Sequence, residues 1–316
     1  MTDHHNNSKI SIVIPCYNEE GNVELLYKKI KENLPEYNIE YIFVDDNSND
    51  NTLNILEDLS KKDPDVKYVS FSRNFGHQSA LRAGLQYSTG DCVISMDGDL
   101  QHPPEMLPTL IDKWKEGYQI VYTVRKDVEN VSKFKKITSS AFYSLMNNLS
   151  DIEIKQGAAD FRLIDKKIVQ ILVNDITEYH LFYRGLISWI GYKQTYIEYI
   201  PNKRYSGTTK YSLKKMISFA INGITSFSIR PLKLSILLGL LLAAFSAVYG
   251  LYALVADIFT NENQKGWTSL MLVILFIGGI NMILLGIIGE YVGKLYIQSK
   301  KRPYYLIKET NIEREN

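Results

Sequence analysis

Cysteine is almost absent from this 316-residue chain: Cys16 and Cys92 are its only two, both lie in short apolar runs, and neither belongs to a pairing motif. That leaves no disulfide framework and fits a reducing compartment with buried, inert thiols. A surplus of charge is missing too. Lysine and arginine number 36 against 35 aspartates and glutamates, a net +1, so no basic excess argues for a nucleic-acid partner. No Gly-x-Gly-x-x-Gly follows the first apolar run, where a dinucleotide site would need it; Pro15-Cys16-Tyr17-Asn18-Glu19-Glu20 stands there instead, which disfavours a nicotinamide dehydrogenase. The polar start, Met1 to Ser8, has no signal-peptide pattern, so the residues before the first long apolar run are expected to stay in the cytosol. Internal repeats and low-complexity tracts are also missing.

Long uncharged runs, by contrast, are present. Leu234 to Ala256 is 23 residues without a formal charge and Gly266 to Gly289 is 24, each ~35 Å of helix at ~1.5 Å per residue and therefore long enough to cross a bilayer. Lys214, Lys215, Arg230 and Lys233 precede the first run, and Lys294, Lys300, Lys301 and Arg302 follow the second. The connector carries only Asp257, Glu262 and Lys265. The positive-inside rule then puts both termini in the cytoplasm, with the chain a two-span protein of the plasma membrane. The expected division is a catalytic domain over 1–211, a juxtamembrane amphipathic helix over 212–232, spans over 233–256 and 267–293 joined by an extracytoplasmic loop over 257–266, and a cytoplasmic tail over 294–316. Gly289 and Gly293 form a small-xxx-small pair that would suit helix contacts in a homo-oligomer or simply lie at the interface.

Before the spans, short apolar runs alternate with amphipathic segments, the pattern of a mostly parallel sheet covered by helices. Strands are expected at Ile10–Ile14, Tyr41–Val44, Val66–Ser70, Cys92–Met96 and Ile120–Val124. Helices are expected at Val23–Leu34, Thr52–Leu59, Ser79–Tyr87, after Pro103-Pro104 to Glu116, at Lys133–Leu149 and at Tyr179–Ile190. In open α/β sheets ligands bind at the carboxyl ends of the strands, and there the acidic residues collect: Asp45-Asp46 after the second strand and Asp97-Gly98-Asp99 after the fourth. Carboxylates packed together repel unless a cation or hydrogen-bond donors compensate them. Two aspartates straddling a glycine suit Mg2+ or Mn2+ completed by substrate phosphates, although Asp-Gly is also ordinary turn punctuation. His77, His102 and His180 lack metal-ligand spacing with one another and are read as polar loop or packing residues.

Taken together, VIPCYNE (Val13 to Glu19), VDDNSND (Val44 to Asp50), FSRNFGHQSALRAGL (Phe71 to Leu85), MDGDLQHPPE (Met96 to Glu105), DFRLID (Asp160 to Asp165) and RYSGTTKY (Arg204 to Tyr211) resemble glycosyltransferase family 2. Within that family they resemble the dolichyl-phosphate-mannose synthase and bacterial polyprenyl-phosphate glycosyltransferase branch. The resemblance runs essentially end to end and implies a GT-A fold, a nucleotide-diphospho-sugar donor and a lipid-phosphate acceptor. By position it implies that Pro15, Tyr17, Glu19, Val44 and Asp46 hold the nucleoside, and that Asp97, Asp99 and Gln101, with Gly98 between them, hold the metal on the diphosphate. Arg125, Arg204 and Lys210 match phosphate contacts, Lys135 and Ser139 match acceptor-phosphate positions, and Asp160 matches the proposed catalytic carboxylate, with an ion pair to Arg162 as the alternative. Ser140 stands where many relatives have arginine. The activity this implies is inverting transfer of glucose or N-acetylglucosamine from a UDP-linked donor to undecaprenyl phosphate. A processive polysaccharide synthase lacks its Gln-x-x-Arg-Trp motif here, and a non-catalytic nucleotide-sugar sensor would not need the intact metal and phosphate positions.

Overall fold

The computed structural model describes residues 8–126, 155, 157–179, 181–202, 225–260 and 266–313. The helix expected over 133–149, most of the one expected over 212–232, and Lys135, Ser139, His180, Arg204 and Lys210 lie outside the described residues. Eight strands make one sheet in the order β7-β5-β6-β4-β1-β2-β3-β8: β1 Lys9–Cys16, β2 Asn38–Asp45, β3 Val66–Phe71, β4 Cys92–Ser95, β5 Ile120–Arg125, β6 Ala158–Asp165, β7 Gln194–Tyr199 and β8 Ile307–Thr310. β1 pairs in parallel with both β2 and β4, β2 with β3, and β5 with β7, whereas β6 runs antiparallel between β4 and β5 and β8 runs antiparallel to β3. This is the mostly parallel α/β sheet expected of a GT-A fold.

Alternation along β1 shows how the core divides. Ile10, Ile12 and Ile14 pack with α1 (Val23–Asn33), α2 (Thr52–Lys62) and α4 (Leu107–Lys115) on one face, while Val13 packs with α3 (His77–Tyr87), α5 (Lys166–Gln170) and α6 (Tyr183–Trp189) on the other, as the period-2 side-chain geometry of a strand requires. α3 starts two residues before the expected Ser79 because Gly76, at φ 94°, turns the chain into it. α6 is shorter than the expected Tyr179–Ile190: Phe182 still lies outside the helical region, at φ −134° and ψ 79°, and the Tyr179 N–H is drawn off to Gln298 Oε1 at 2.6 Å.

Two further helices, α7 (Arg230–Thr260) and α8 (Trp267–Ser299), are long and apolar enough to cross a membrane. Phe245 and Met282, each 71% exposed, show apolar side chains turned outward along both, the arrangement that hydrocarbon rather than water stabilises. At Gly289 and Gly293 an added Cβ would meet nothing within 4 Å, so these glycines do not mediate the contact between α7 and α8. The segment expected to be a tail after the second span instead returns to the sheet as β8. Both ends of the helix pair therefore root in the same domain.

Toward the amino ends of the strands Glu40, 1% exposed, accepts from Ser11 Oγ at 2.5 Å, Thr89 N at 2.6 Å and Thr89 Oγ1 at 2.7 Å, and pairs with Lys9 at 2.7 Å and Lys67 at 2.9 Å. Burial alone would raise its pKa, but the bonds from Lys9, Ser11, Thr89 and Lys67 outweigh burial and hold it at about 2. A depressed carboxylate contributes stability that is whole above its unfolded-state pKa and is lost as pH falls through the folded one. The unfolding temperature should therefore drop between about pH 5 and pH 2, and Glu40→Gln should flatten that dependence while lowering the value at neutral pH. Thermal unfolding of both proteins across that range checks it, and parallel curves would remove Glu40 from the account.

Candidate functional site

The strand order reverses between β1 and β4, and the loops leaving their carboxyl ends border a cavity of about 670 Å3. That is the switch-point crevice in which open α/β sheets bind ligands. Pro15, Cys16, Tyr17 and Glu19 line it from β1, Asp46 from β2, Gly76 and His77 from the start of α3, Asp97, Gly98 and Asp99 from β4, Asp160 from β6 and Arg184 from α6.

Gly98 is what lets the β1 and β4 loops meet: a Cβ there would stand 3.2 Å from Cys16 Sγ and 3.3 Å from the Pro15 carbonyl oxygen. Asp97 is fixed by its backbone, whose N–H donates to His102 Nδ1 at 3.0 Å, while its side chain stays 39% exposed to the cavity. Asp99 is 9% exposed and accepts from the Gln101 N–H at 3.1 Å across Leu100, whose φ of 61° is uncommon for a leucine and marks stored backbone strain of the kind found at ligand clamps. His102 is buried and stacked on Phe161 at 5.0 Å, a packing residue as expected.

Asp46 accepts from the N–H groups of Phe75 at 2.6 Å and Gly76 at 2.9 Å, so it holds the loop that opens α3 as well as lining the cavity. Burial pushes its carboxyl up, and those two N–H groups partly offset the rise. Burial, followed by the Glu19 charge, pushes the Cys16 thiol well up, which makes it inert at the cavity floor.

Three expected contacts are placed differently. Val44 is fully buried in the core, so its side chain cannot touch a nucleoside. Gln101 and Arg125 are not among the cavity-lining residues; Gln101 contributes the backbone N–H that orients Asp99, and Arg125 is exposed at the end of β5.

Two arginines close on Asp160, with His77 nearby. Arg184 grips it in a fork, Nε to Oδ1 at 3.2 Å and Nη2 to Oδ2 at 2.8 Å. Arg162 Nη2 donates to Oδ1 at 2.5 Å, and His77 Nε2 stands 3.8 Å from Oδ2 and 3.7 Å from Asp97 Oδ1. Burial would raise this carboxyl, but the Arg184 and Arg162 guanidiniums outweigh it and hold the group far below the usual carboxylate range. A carboxylate so engaged is a weak proton acceptor, and the ion pair left open by the sequence is what the structure contains. Arg184 was not singled out from the sequence, and His77, expected to be a polar loop or packing residue, lines the cavity between Asp97 and Asp160. Arg184 sits in no recognisable motif, and its position becomes clear only through its fork on Asp160.

The model of glycosyl transferase family 2 matches residues 11–172, which spans β1 to the turn after α5, and the model of the GtrB C-terminal hairpin matches 230–295, the two long helices. The chain belongs to glycosyl transferase family 2. Within that family it is 42% identical over 302 residues to an uncharacterized glycosyltransferase, YkcC, of Bacillus subtilis (95% of this chain, 93% of the relative). It is 40% identical to a prophage bactoprenol glucosyl transferase homolog of Escherichia coli K12 (95% and 98%) and 39% identical to the bactoprenol glucosyl transferase of Shigella phage SfX (95% and 99%). These full-length matches place this family 2 glycosyltransferase in the bactoprenol branch.

Proposed function

We propose that the enzyme transfers glucose, or alternatively N-acetylglucosamine, from a UDP-linked donor to undecaprenyl phosphate at the cytoplasmic face of the plasma membrane, in one inverting displacement, for glycosylation of a cell-envelope polymer. The observation that carries this reading is a single cavity joining the Asp97-Gly98-Asp99 loop to α6, the helix packed at the root of the membrane helices. The names of the full-length relatives support glucose and a polyprenyl carrier.

In this reading Pro15, Tyr17, Glu19 and Asp46 cradle the nucleoside. Asp97 and Asp99, with Gln101 beside them, fit Mg2+ or Mn2+: the donor set is hard oxygen, and Asp97 is open to the cavity. Among the described residues no three His, Cys, Asp or Glu side chains gather into a metal cluster, so water and diphosphate oxygens would complete the shell. Such a cation supplies charge neutralisation for the departing diphosphate. An acceptor phosphate oxygen forms the new bond to the anomeric carbon as the bond to the diphosphate oxygen breaks. The nucleophile is already an anion, so positioning takes the place of deprotonation. Lys135, Ser139, Arg204 and Lys210 are assigned to the phosphates, where several cations must offset anion repulsion.

The test is mass spectrometry of the lipid fraction after purified protein meets undecaprenyl phosphate and a panel of nucleotide sugars. A hexose-phospholipid product with UDP-glucose is expected, and the absence of any lipid-linked sugar would overturn the reading. For topology, both roots of the helix pair lie on the catalytic domain and carry Arg230, Lys233, Lys294, Lys300, Lys301 and Arg302, which the positive-inside rule puts in the cytoplasm. A reporter after Asn316 should be cytoplasmic, and a tag between Thr260 and Gly266 should label from outside only. Labelling of both from one side would reject two spans.

A further inference from the structure

The first turn of α3 enters the cavity beside two carboxylates. His77 opens that helix with its side chain 40% exposed, so it is not packed away, and its Nε2 stands 3.7 Å from Asp97 Oδ1 and 3.8 Å from Asp160 Oδ2. Both separations are too long for a direct hydrogen bond and short enough for one polar atom of a ligand to reach all three groups. The turn is held on both sides. Asp46 accepts from the Phe75 and Gly76 N–H groups that precede it, and Gln78 Oε1 accepts at 3.2 Å from the N–H of Tyr183, the first residue of α6. α6 in turn sends Arg184 to Asp160. His77 and Asp160 therefore belong to one hydrogen-bonded frame.

We propose that His77 is a specificity-determining residue that hydrogen-bonds a hydroxyl of the transferred sugar in the gap beside Asp97 and Asp160. The chemistry of the gap selects a hydroxyl. Carboxylates only accept, whereas an imidazole nitrogen donates or accepts according to its tautomer; a hydroxyl can give its one proton to either and still accept, so it complements the group in both forms. A phosphate oxygen has no proton to give and would face two carboxylates, and an apolar group would strip them of water without replacing its hydrogen bonds. Position gives the same answer. With the nucleoside at Pro15, Tyr17 and Asp46 and the diphosphate at Asp97 and Asp99, the sugar on the far phosphate continues along the wall that His77 and Asp160 form. Groups placed to bond a substrate hydroxyl discriminate against an analogue that lacks it, because they are then left unpaired.

The inference rests on the proposed use of UDP-glucose, and the full-length protein in detergent micelles tests it with undecaprenyl phosphate, UDP-glucose and a set of monodeoxy UDP-glucose analogues. Wild type should disfavour one analogue by about 10-fold in kcat/KM, the loss of one hydrogen bond. His77→Ala should lower kcat/KM for UDP-glucose by about 10-fold and leave that analogue within about twofold of its wild-type value, so the preference disappears. His77→Asn, which keeps a donor and an acceptor, should retain part of it. The Kd for UDP in the presence of Mn2+ should stay within about twofold in both variants, because UDP carries no hexose. A parallel loss of UDP affinity would put His77 on the diphosphate or its cation, and an equal loss with every analogue would make it a packing residue. Either result overturns the inference, as does a wild type that uses all analogues alike or a His77→Ala enzyme that behaves as wild type. Should the melting curve show that His77→Ala does not fold, the same readouts on His77→Asn decide. A wild type that makes no lipid-linked sugar overturns the proposed transfer, and calorimetry then decides this inference separately: His77→Ala should weaken binding of UDP-glucose by about 10-fold and leave that of UDP unchanged.

Discussion

Asp99→Ala is expected to lower sugar transfer by about three orders of magnitude, equivalent to ~4 kcal/mol of transition-state stabilisation, while the protein stays folded. The asymmetry follows from what the carboxylate touches. One of its bonds is local, to the Gln101 N–H across one strained residue. Losing one such bond at the cavity rim costs on the order of 1 kcal/mol, too little to unfold a domain whose two core clusters lie on either side of the sheet. Its proposed chemical task is larger. The departing diphosphate develops charge beside Asp97, Asp160 and Asp46, and without a bound cation that charge meets carboxylates. Chelation of the wild-type enzyme should reproduce the loss, and added Mg2+ or Mn2+ should reverse it. The measurement is radiolabelled transfer from donor to lipid, paired with a melting curve for the variant. Full turnover in excess chelator would sink the metal assignment.

The chemistry was more legible in the sequence than the sheet was. The five strands expected from apolar runs all exist, with no end shifted by more than three residues, because each is a buried run bounded by turn residues. β6 was recognised only as a motif. It carries Asp160 and Arg162 at buried positions, and charges in the middle of the strand break the apolar signature that a central strand normally shows. β7, Gln194–Tyr199, has just one buried residue and looks polar because it is an edge strand. The Asp-Gly-Asp loop could be found without coordinates because its residues are contiguous. Arg184 could not: its meaning depends on a fork with Asp160, 24 positions away, and on a glycine neighbour seated on Phe227, relations that leave no trace in local spacing.

β8 is the extreme case, and deleting residues 303–316 is expected to cost the protein its stable fold although the deletion lies more than 200 residues from the cavity loops. Ile307–Thr310 pairs with β3 and closes that edge of the sheet. Around it Asn311 Oδ1 accepts from the Tyr68 N–H at 2.8 Å, Asn311 Nδ2 donates to the Val66 carbonyl at 3.0 Å, Thr310 Oγ1 donates to the Tyr68 carbonyl at 2.6 Å, and the Leu306 carbonyl accepts from the Ser72 N–H at 2.9 Å. Tyr305 stacks on Phe71 at 4.9 Å and donates to Gln86 on α3 at 2.7 Å. Tyr304 lies under the Arg82 guanidinium at 3.9 Å, and that buried arginine ties α3 to the carbonyls of Leu172, Val173 and Ile176. With each partly buried aromatic or isoleucine contributing about 1 to 2 kcal/mol and each hydrogen bond about 1, the segment contributes on the order of 5 kcal/mol or more. A domain typically has about 5 to 15 kcal/mol in all. Removal should therefore lower the melting temperature by at least about 10 °C or prevent accumulation of folded protein, and it would leave β3 as an unpaired edge open to aggregation. Tyr304→Ala should cost only the stacking contact, about 1 kcal/mol. Limited proteolysis and melting curves of the two variants check the ranking, and a deletion that melts with the wild type would show that the sheet closes without its eighth strand.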